Sequence, residues 1–168
     1  MCIRDSSYTT EISLQSDGWI KSIYDLMSEG VVLLIDYGMS QSEYFHPQRI
    51  DGTLKCFHKH KSNNNPFIHI GDQDITASVN FTDIAKSAIG AGFEVDGYST
   101  QSMFLISMGI ENFLIEEENN EKKNKLTQEL KQLVMPGAMG EVFKVMALTK
   151  KQSVKLVGFK EQNLTERL

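Results

Sequence analysis

At 168 residues, with 40% hydrophobic and 23% charged side chains, the chain has the size and make-up of one ordinary globular domain with a real core. A formal charge of −5 gives no basic excess to neutralise phosphates, which argues against nucleic-acid binding. Cys2 and Cys56 cannot build a disulfide framework, and no apolar run approaches membrane-spanning length, so a soluble protein in a reducing, cytoplasmic setting is expected.

The opening, Met1 to Ser6, has neither helical nor strand period, and residues 1–8 are expected to be a non-native or disordered start. Glu11 to Leu14 is a short extended candidate. Asp17 offers an N-cap to a helix carrying Trp19, Ile20, Ile23, Tyr24 and Met27, with Gly30 as its left-handed stop. Val31 to Ile35 follows, five apolar residues of which three are β-branched, and reads as a strand buried on both faces. It stops at Asp36, Tyr37 and Gly38, and polar residues just past a strand's carboxyl end are site candidates in an open α/β sheet.

From Met39 to Ile75 the pattern dissolves into turn chemistry, with Thr53 to Phe57 the one clear strand-like piece. A connection this long is usually functional, and all four histidines fall within it. A helix is expected from Asn80 to about Gly92, a strand from Phe93 to Ser99, a largely apolar helix from Gln101 to Leu114, and another from Glu121 to Val134 ended by Pro136. Glu141–Thr149 and Val154–Phe159 read as an antiparallel hairpin, and residues 161–168 as a frayed polar tail behind a domain spanning 9–160.

Six pieces then occur in series: Gly30 with Leu34-Ile35-Asp36-Tyr37-Gly38; Asp51-Gly52-Thr53-Leu54; His58 and His60; Gly71 with Asp74-Ile75-Thr76-Ala77, Val79 and Phe81; Thr100-Gln101 with Phe104-Leu105 and Met108-Gly109; and Met139-Gly140-Glu141 with Phe143-Lys144-Val145. This series, from about Glu11 to Lys150, closely resembles the MidA family of class I S-adenosylmethionine-dependent methyltransferases. The resemblance implies an α/β, Rossmann-like fold and S-adenosyl-L-methionine as cofactor. It further implies methylation of a protein arginine, in a subunit of respiratory complex I where the members are mitochondrial. The setting would then be bacterial cytoplasm or mitochondrial matrix. Ser78 and Asn80 stand where relatives often carry His and Asp. No Gly-x-Gly turn precedes Val31, and Gly90-Ala91-Gly92 follows a helix, so the chain is expected to be the carboxyl-terminal part of the enzyme, the main cofactor site lying upstream.

Asp36 and Tyr37 are the catalytic candidates; a carboxylate past a buried strand can take a substrate guanidinium bidentately, against the alternative of a capping acid. Gly38, His58, His60, Asp74, Thr76 and Gln101 are the substrate-binding candidates. Asp74 and Thr76 have helix capping as their plainer role, and Gln101 exposure at a helix start. His58 and His60 alternate, but no acidic ligand stands at a recognised spacing, so no metal is expected, and an imidazole that shapes a pocket or takes a substrate proton is preferred. Two rivals remain: an assembly factor that keeps the fold without chemistry, and a metal-dependent hydrolase using the histidines.

Overall fold

The structure is a computed structural model that describes residues 8–116, 118–152 and 154–168; the expected irregular start therefore lies almost wholly outside the described residues. In chain order the elements are α1 (Ser16–Leu26), β1 (Gly30–Met39), α2 (Gln41–Tyr44), β2 (Lys55–His58), β3 (Lys61–Asn63), β4 (Asp74–Thr76), β5 (Val79–Asn80), α3 (Phe81–Ala91), β6 (Glu94–Thr100), α4 (Gln101–Ser107), α5 (Asn112–Glu116), α6 (Asn120–Val134), α7 (Met139–Val142) and β7 (Phe143–Lys150), then two 3-10 turns at Val157–Phe159 and Thr165–Arg167.

Four strands form a mixed sheet in the order β5-β1-β7-β6. β7 runs antiparallel to both neighbours, pairing Gly30 with Lys150 through Tyr37 with Phe143 on one side and Glu94 with Thr149 through Thr100 with Lys144 on the other. β1 and β6 thus run parallel to each other, with β7 between them. This corrects the expected terminal hairpin. Both edges of β7 are already taken, so residues 154–159 cannot pair with it; Val157–Phe159 form a 3-10 turn that buries Gly158 and Phe159 instead.

One face of the sheet packs on α1 and α3. Met146, Leu148 and Tyr98 meet Ile20, Phe81, Ala85 and Ala88, with Val32 and Leu34 of β1 against them. On the other face Val145 and Ala147 pack under Phe159, Phe104 and Leu156. That second cover does not reach β1, where Val31, Leu33 and Ile35 are 38%, 49% and 53% exposed. The expectation of a strand buried on both faces is therefore half met. β1 also meets β5 only at Gly38 and Met39, which leaves the rest of that edge unpaired within the described sheet.

α1 ends at Leu26 with Met27 as its C-cap, and the carbonyls there are tied by the Lys150 ammonium, which donates to the Tyr24 and Met27 oxygens at 2.6 and 2.5 Å. A cation at a helix carboxyl terminus also meets the negative end of the dipole. The single helix expected over 101–114 is two, because Gly109 takes φ +77° between them. α6 forms as expected, turning Leu126, Leu130, Leu133 and Val134 inward to partial burial.

The long connection after β1 holds a second small sheet, β3-β2-β4. Its anchor is Glu11, whose carboxylate accepts from the Thr53 and Leu54 amides and the Thr53 hydroxyl at 2.9–3.0 Å. Far from fraying, residues 161–168 run along β6. The Leu164 amide donates to the Tyr98 carbonyl at 2.6 Å, and the Asn163 and Gln162 side chains bond the strand beside it.

Candidate active-site crevice

β1 and β6 both deliver their carboxyl ends to the same edge of the sheet, and the chain turns sharply there. Ser40 opens α2 with a capping box, its side chain bonding the Glu43 amide while the Glu43 carboxylate reaches back to Ser40 at 3.3 Å. That places Glu43 over the strand ends. Lys144, the second residue of β7, rises beside it, and Thr100 closes β6 by capping α4.

Two adjoining cavities result. One, of about 560 Å³, is lined by Ser40, Glu43, Tyr98, Thr100 and Lys144 among others, with Arg167 also on its wall. The other, of about 380 Å³, is lined by Gly38, His46, Arg49 and Ser78 and shares Glu43 and Lys144 with the first. Tyr98 is almost completely buried, and its hydroxyl has no hydrogen-bond partner among the described residues. Burial first, then the Glu43 charge, push its phenol far above the ordinary value. Burial also pulls the Lys144 ammonium below the usual lysine range, although the Glu43 and Glu141 charges oppose the shift.

Of the residues expected to form the site, Gly38 lines this crevice. Its hydrogen atom is needed there, since a Cβ would fall 2.3 Å from the Val79 carbonyl oxygen and 2.8 Å from the Phe81 ring. Asp36 and Tyr37 lie just before it on β1. The Asp36 carboxylate accepts from the Tyr37 amide at 2.8 Å and is otherwise open to solvent. Tyr37 stands edge-on to Phe143, its hydroxyl raised by burial and then by the Asp36 charge.

The remaining candidates sit elsewhere. His58 lies on β2, stacked on His69 at 4.0 Å with Nδ1 2.6 Å from the Asp72 carbonyl oxygen. His60 is not on that strand: Lys59 and His60 take φ +49° and +65° in the β2–β3 turn, so the two histidines do not share a strand face. Asp74 and Thr76 belong to β4, paired to Phe57 and Lys55, well before the helix they were expected to precede. Gln101 is buried, and its Nε2 donates to the Leu133 carbonyl at 3.0 Å, fastening α4 to α6 rather than pointing into the crevice. Among the described residues no three or more His, Cys, Asp or Glu come together as a metal-binding group.

Nor do the described residues fit the cofactor's cradle. A nucleotide-binding turn needs glycines that let the backbone approach the ligand directly after a strand. The nearest cluster ends α3, where Gly92 at φ +108° caps the helix against the Tyr24 ring.

An α/β mixed sheet with a polar crevice beyond its parallel carboxyl ends defines a class of ligand-binding enzyme folds. Residues 2–99 match a family described as "Putative S-adenosyl-L-methionine-dependent methyltransferase", and the chain belongs to that family. Two solved structures from Burkholderia thailandensis are similar over nearly all of it, each at 32% identity and TM-score 0.92. One is an uncharacterised protein, with 96% of this chain covered and 44% of that one. The other is described as a superfamily member and "likely methyl transferase" bound to S-adenosyl-homocysteine, with 98% of this chain and 43% of that one covered. The chain thus spans less than half the length of these relatives. No curated protein matches it.

Proposed function

We propose that the chain is the acceptor-side part of an S-adenosyl-L-methionine-dependent methyltransferase that modifies an arginine of a protein substrate. The observation that carries this reading is its likeness, across 98% of its length, to a protein bound to S-adenosyl-homocysteine, what remains of the cofactor after methyl donation. The cofactor supplies an electrophilic methyl group when bound. The chain's own residues hold and orient the acceptor, and positioning of this kind contributes most of the rate in such transfers.

In this reading Asp36 orients the guanidinium. β1 runs on through Met39, so Asp36 lies within the strand opposite Lys144 rather than past its end. Its exposed carboxylate has one oxygen outside any hydrogen bond among the described residues, so it can accept from a planar N–H fork and localise the cation's charge away from the reacting nitrogen. Tyr37, held by Phe143, bounds the same strand end. The protein partner proposed is a subunit of respiratory complex I or a comparable assembly, in bacterial cytoplasm or in the mitochondrial matrix. Among the described residues no helix is long and apolar enough to cross a membrane.

The misfit between these residues and a cofactor cradle favours a second reading, an assembly factor that keeps the fold without the chemistry. The two separate in one experiment on a protein carrying this chain over the full length of its relatives. With labelled S-adenosyl-L-methionine and arginine-bearing protein substrates, label should reach arginine, and Asp36→Asn should slow transfer by about 100-fold or more, as expected when an orienting charge is lost. Transfer at an unchanged rate would remove Asp36 from the mechanism, and no transfer to any acceptor would leave the assembly reading.

A further inference from the structure

The loop between β3 and β4 carries an apolar tip. Phe67 is 80% and Ile70 79% exposed, and Ile68 between them is exposed as well. This tip is not a loose end. The Asn63 side chain accepts from the Asn65 amide and the Asn65 side chain from the Phe67 amide, each at 2.9 Å, while Gln73 Nε2 donates to the Asn65 carbonyl at 3.2 Å. The His69 ring stacks on His58, which holds the tip against the β2–β3 turn. Three large apolar side chains held outward by a hydrogen-bonded turn mark a surface that meets something other than water.

Two further observations say what. At three successive residues the tip offers no free backbone donor. Pro66 has no N–H, the Phe67 amide is bonded to Asn65 Oδ1, and the Ile68 amide points to the Asn65 carbonyl at 3.5 Å. Unpaired amides are what exclude backbone from a lipid phase, and they are what a protein strand would need in order to pair here. Charge is also segregated. Residues 52–71 hold Lys55, Lys59 and Lys61 and no Asp or Glu, and the balance stays positive when Asp72 and Asp74 are added, in a chain of net charge −5. Lys59 lies in the turn that the ring stack touches, and Lys61 opens β3. An acidic body with one basic, apolar-tipped end is drawn to an anionic surface with that end first.

We propose that the β3–β4 loop is a membrane-docking tip. Phe67, Ile68 and Ile70 enter the headgroup boundary of an anionic bilayer, and Lys59 and Lys61 meet its phosphates. The protein then rests on the surface without spanning it. Such docking needs no methyl transfer and goes beyond the methyltransferase reading.

Flotation with vesicles tests it on the protein carrying this chain over the full length of its relatives. Vesicles of phosphatidylcholine with phosphatidylglycerol as the minor lipid should carry the protein, and phosphatidylcholine alone should do so at least about tenfold less well. Phe67→Ser with Ile70→Ser should weaken partition at least about tenfold at an unchanged melting temperature, because both side chains already stand in water. Lys59→Gln with Lys61→Gln should weaken it by about tenfold or more, and so should a rise in salt. No partition onto the anionic vesicles would overturn the proposal. So would the serine variant floating like wild type, or equal flotation on phosphatidylcholine alone. Soluble polyglutamate bound in preference to the vesicles would assign the lysines to an acidic protein instead. Labelled methyl transfer to a soluble acceptor should be the same in both variants as in wild type. Lost docking with transfer intact therefore discards the tip alone, and docking without any transfer discards the methyltransferase reading alone.

Discussion

Glu11 shows how much of the region around the crevice depends on one side chain. Burial pushes its carboxyl upward, but the amides of Thr53 and Leu54 and the Thr53 hydroxyl outweigh that and hold it below the usual carboxylate range. The Tyr44 hydroxyl also bonds it at 3.3 Å, so one carboxylate joins the segment before α1, the helix α2 and the start of the small sheet. A carboxyl depressed in the folded state stabilises above its unfolded value, and that contribution is lost as pH falls through the folded one. Glu11→Gln should therefore cost about 1.5–3 kcal/mol at neutral pH. The gap between the two proteins in urea melts should narrow in acid, and a gap that stays constant would contradict this account. Nothing local in the sequence marked Glu11, because its partners lie some forty residues away. Tyr98 and Lys144 were hidden for the same reason: Lys144 sits one residue into a mainly apolar strand and acquires its meaning from Glu43 across the crevice. Ser40 and Glu43 did carry a readable sign, the three-residue spacing of a capping box.

At the scale of elements, β1 and β5 meet because residue 38 has no side chain. Gly38→Ala should drive β5 and Phe81 off β1 and destabilise the protein by about 1–3 kcal/mol, whereas Gly90→Ala, in α3 with open space around it, should stabilise by about 0.5–1 kcal/mol. Thermal melts of the pair test this, and Gly38→Ala melting like wild type would refute the close approach. α1, α3, α6, β1 and β6 were legible because their apolar residues repeat at the period of the element that forms. Residues 154–159 carry a strand-like pattern but form no strand, since pattern supplies a candidate and an open edge decides. Asp74 and Thr76 are likewise strand residues only because β2 is there to pair with them. At the end of β1 Gly38 lines the crevice, whereas Asp36 and Tyr37 line neither cavity, and His58, Asp74, Thr76 and Gln101 are held by other partners.

At the scale of the molecule, the half-exposed Val31, Leu33 and Ile35 beside an edge unpaired among the described residues form an adhesive surface of the kind soluble proteins cover. The 168 residues alone should associate through it, and sedimentation showing a monomer with one cooperative melt would contradict that expectation. The relatives, more than twice as long, have ample chain to cover such a face. The place of β7 has a different consequence, one of timing. β1 and β6 emerge from the ribosome first, yet within the described sheet they are joined by hydrogen bonds only through residues 143–150, which are made after both. Synthesis is vectorial, so the nascent chain must hold β1 and β6 side by side without their ladder until β7 slots between them, and Lys144 and Lys150, at the two ends of that strand, arrive with the bolt that locks them.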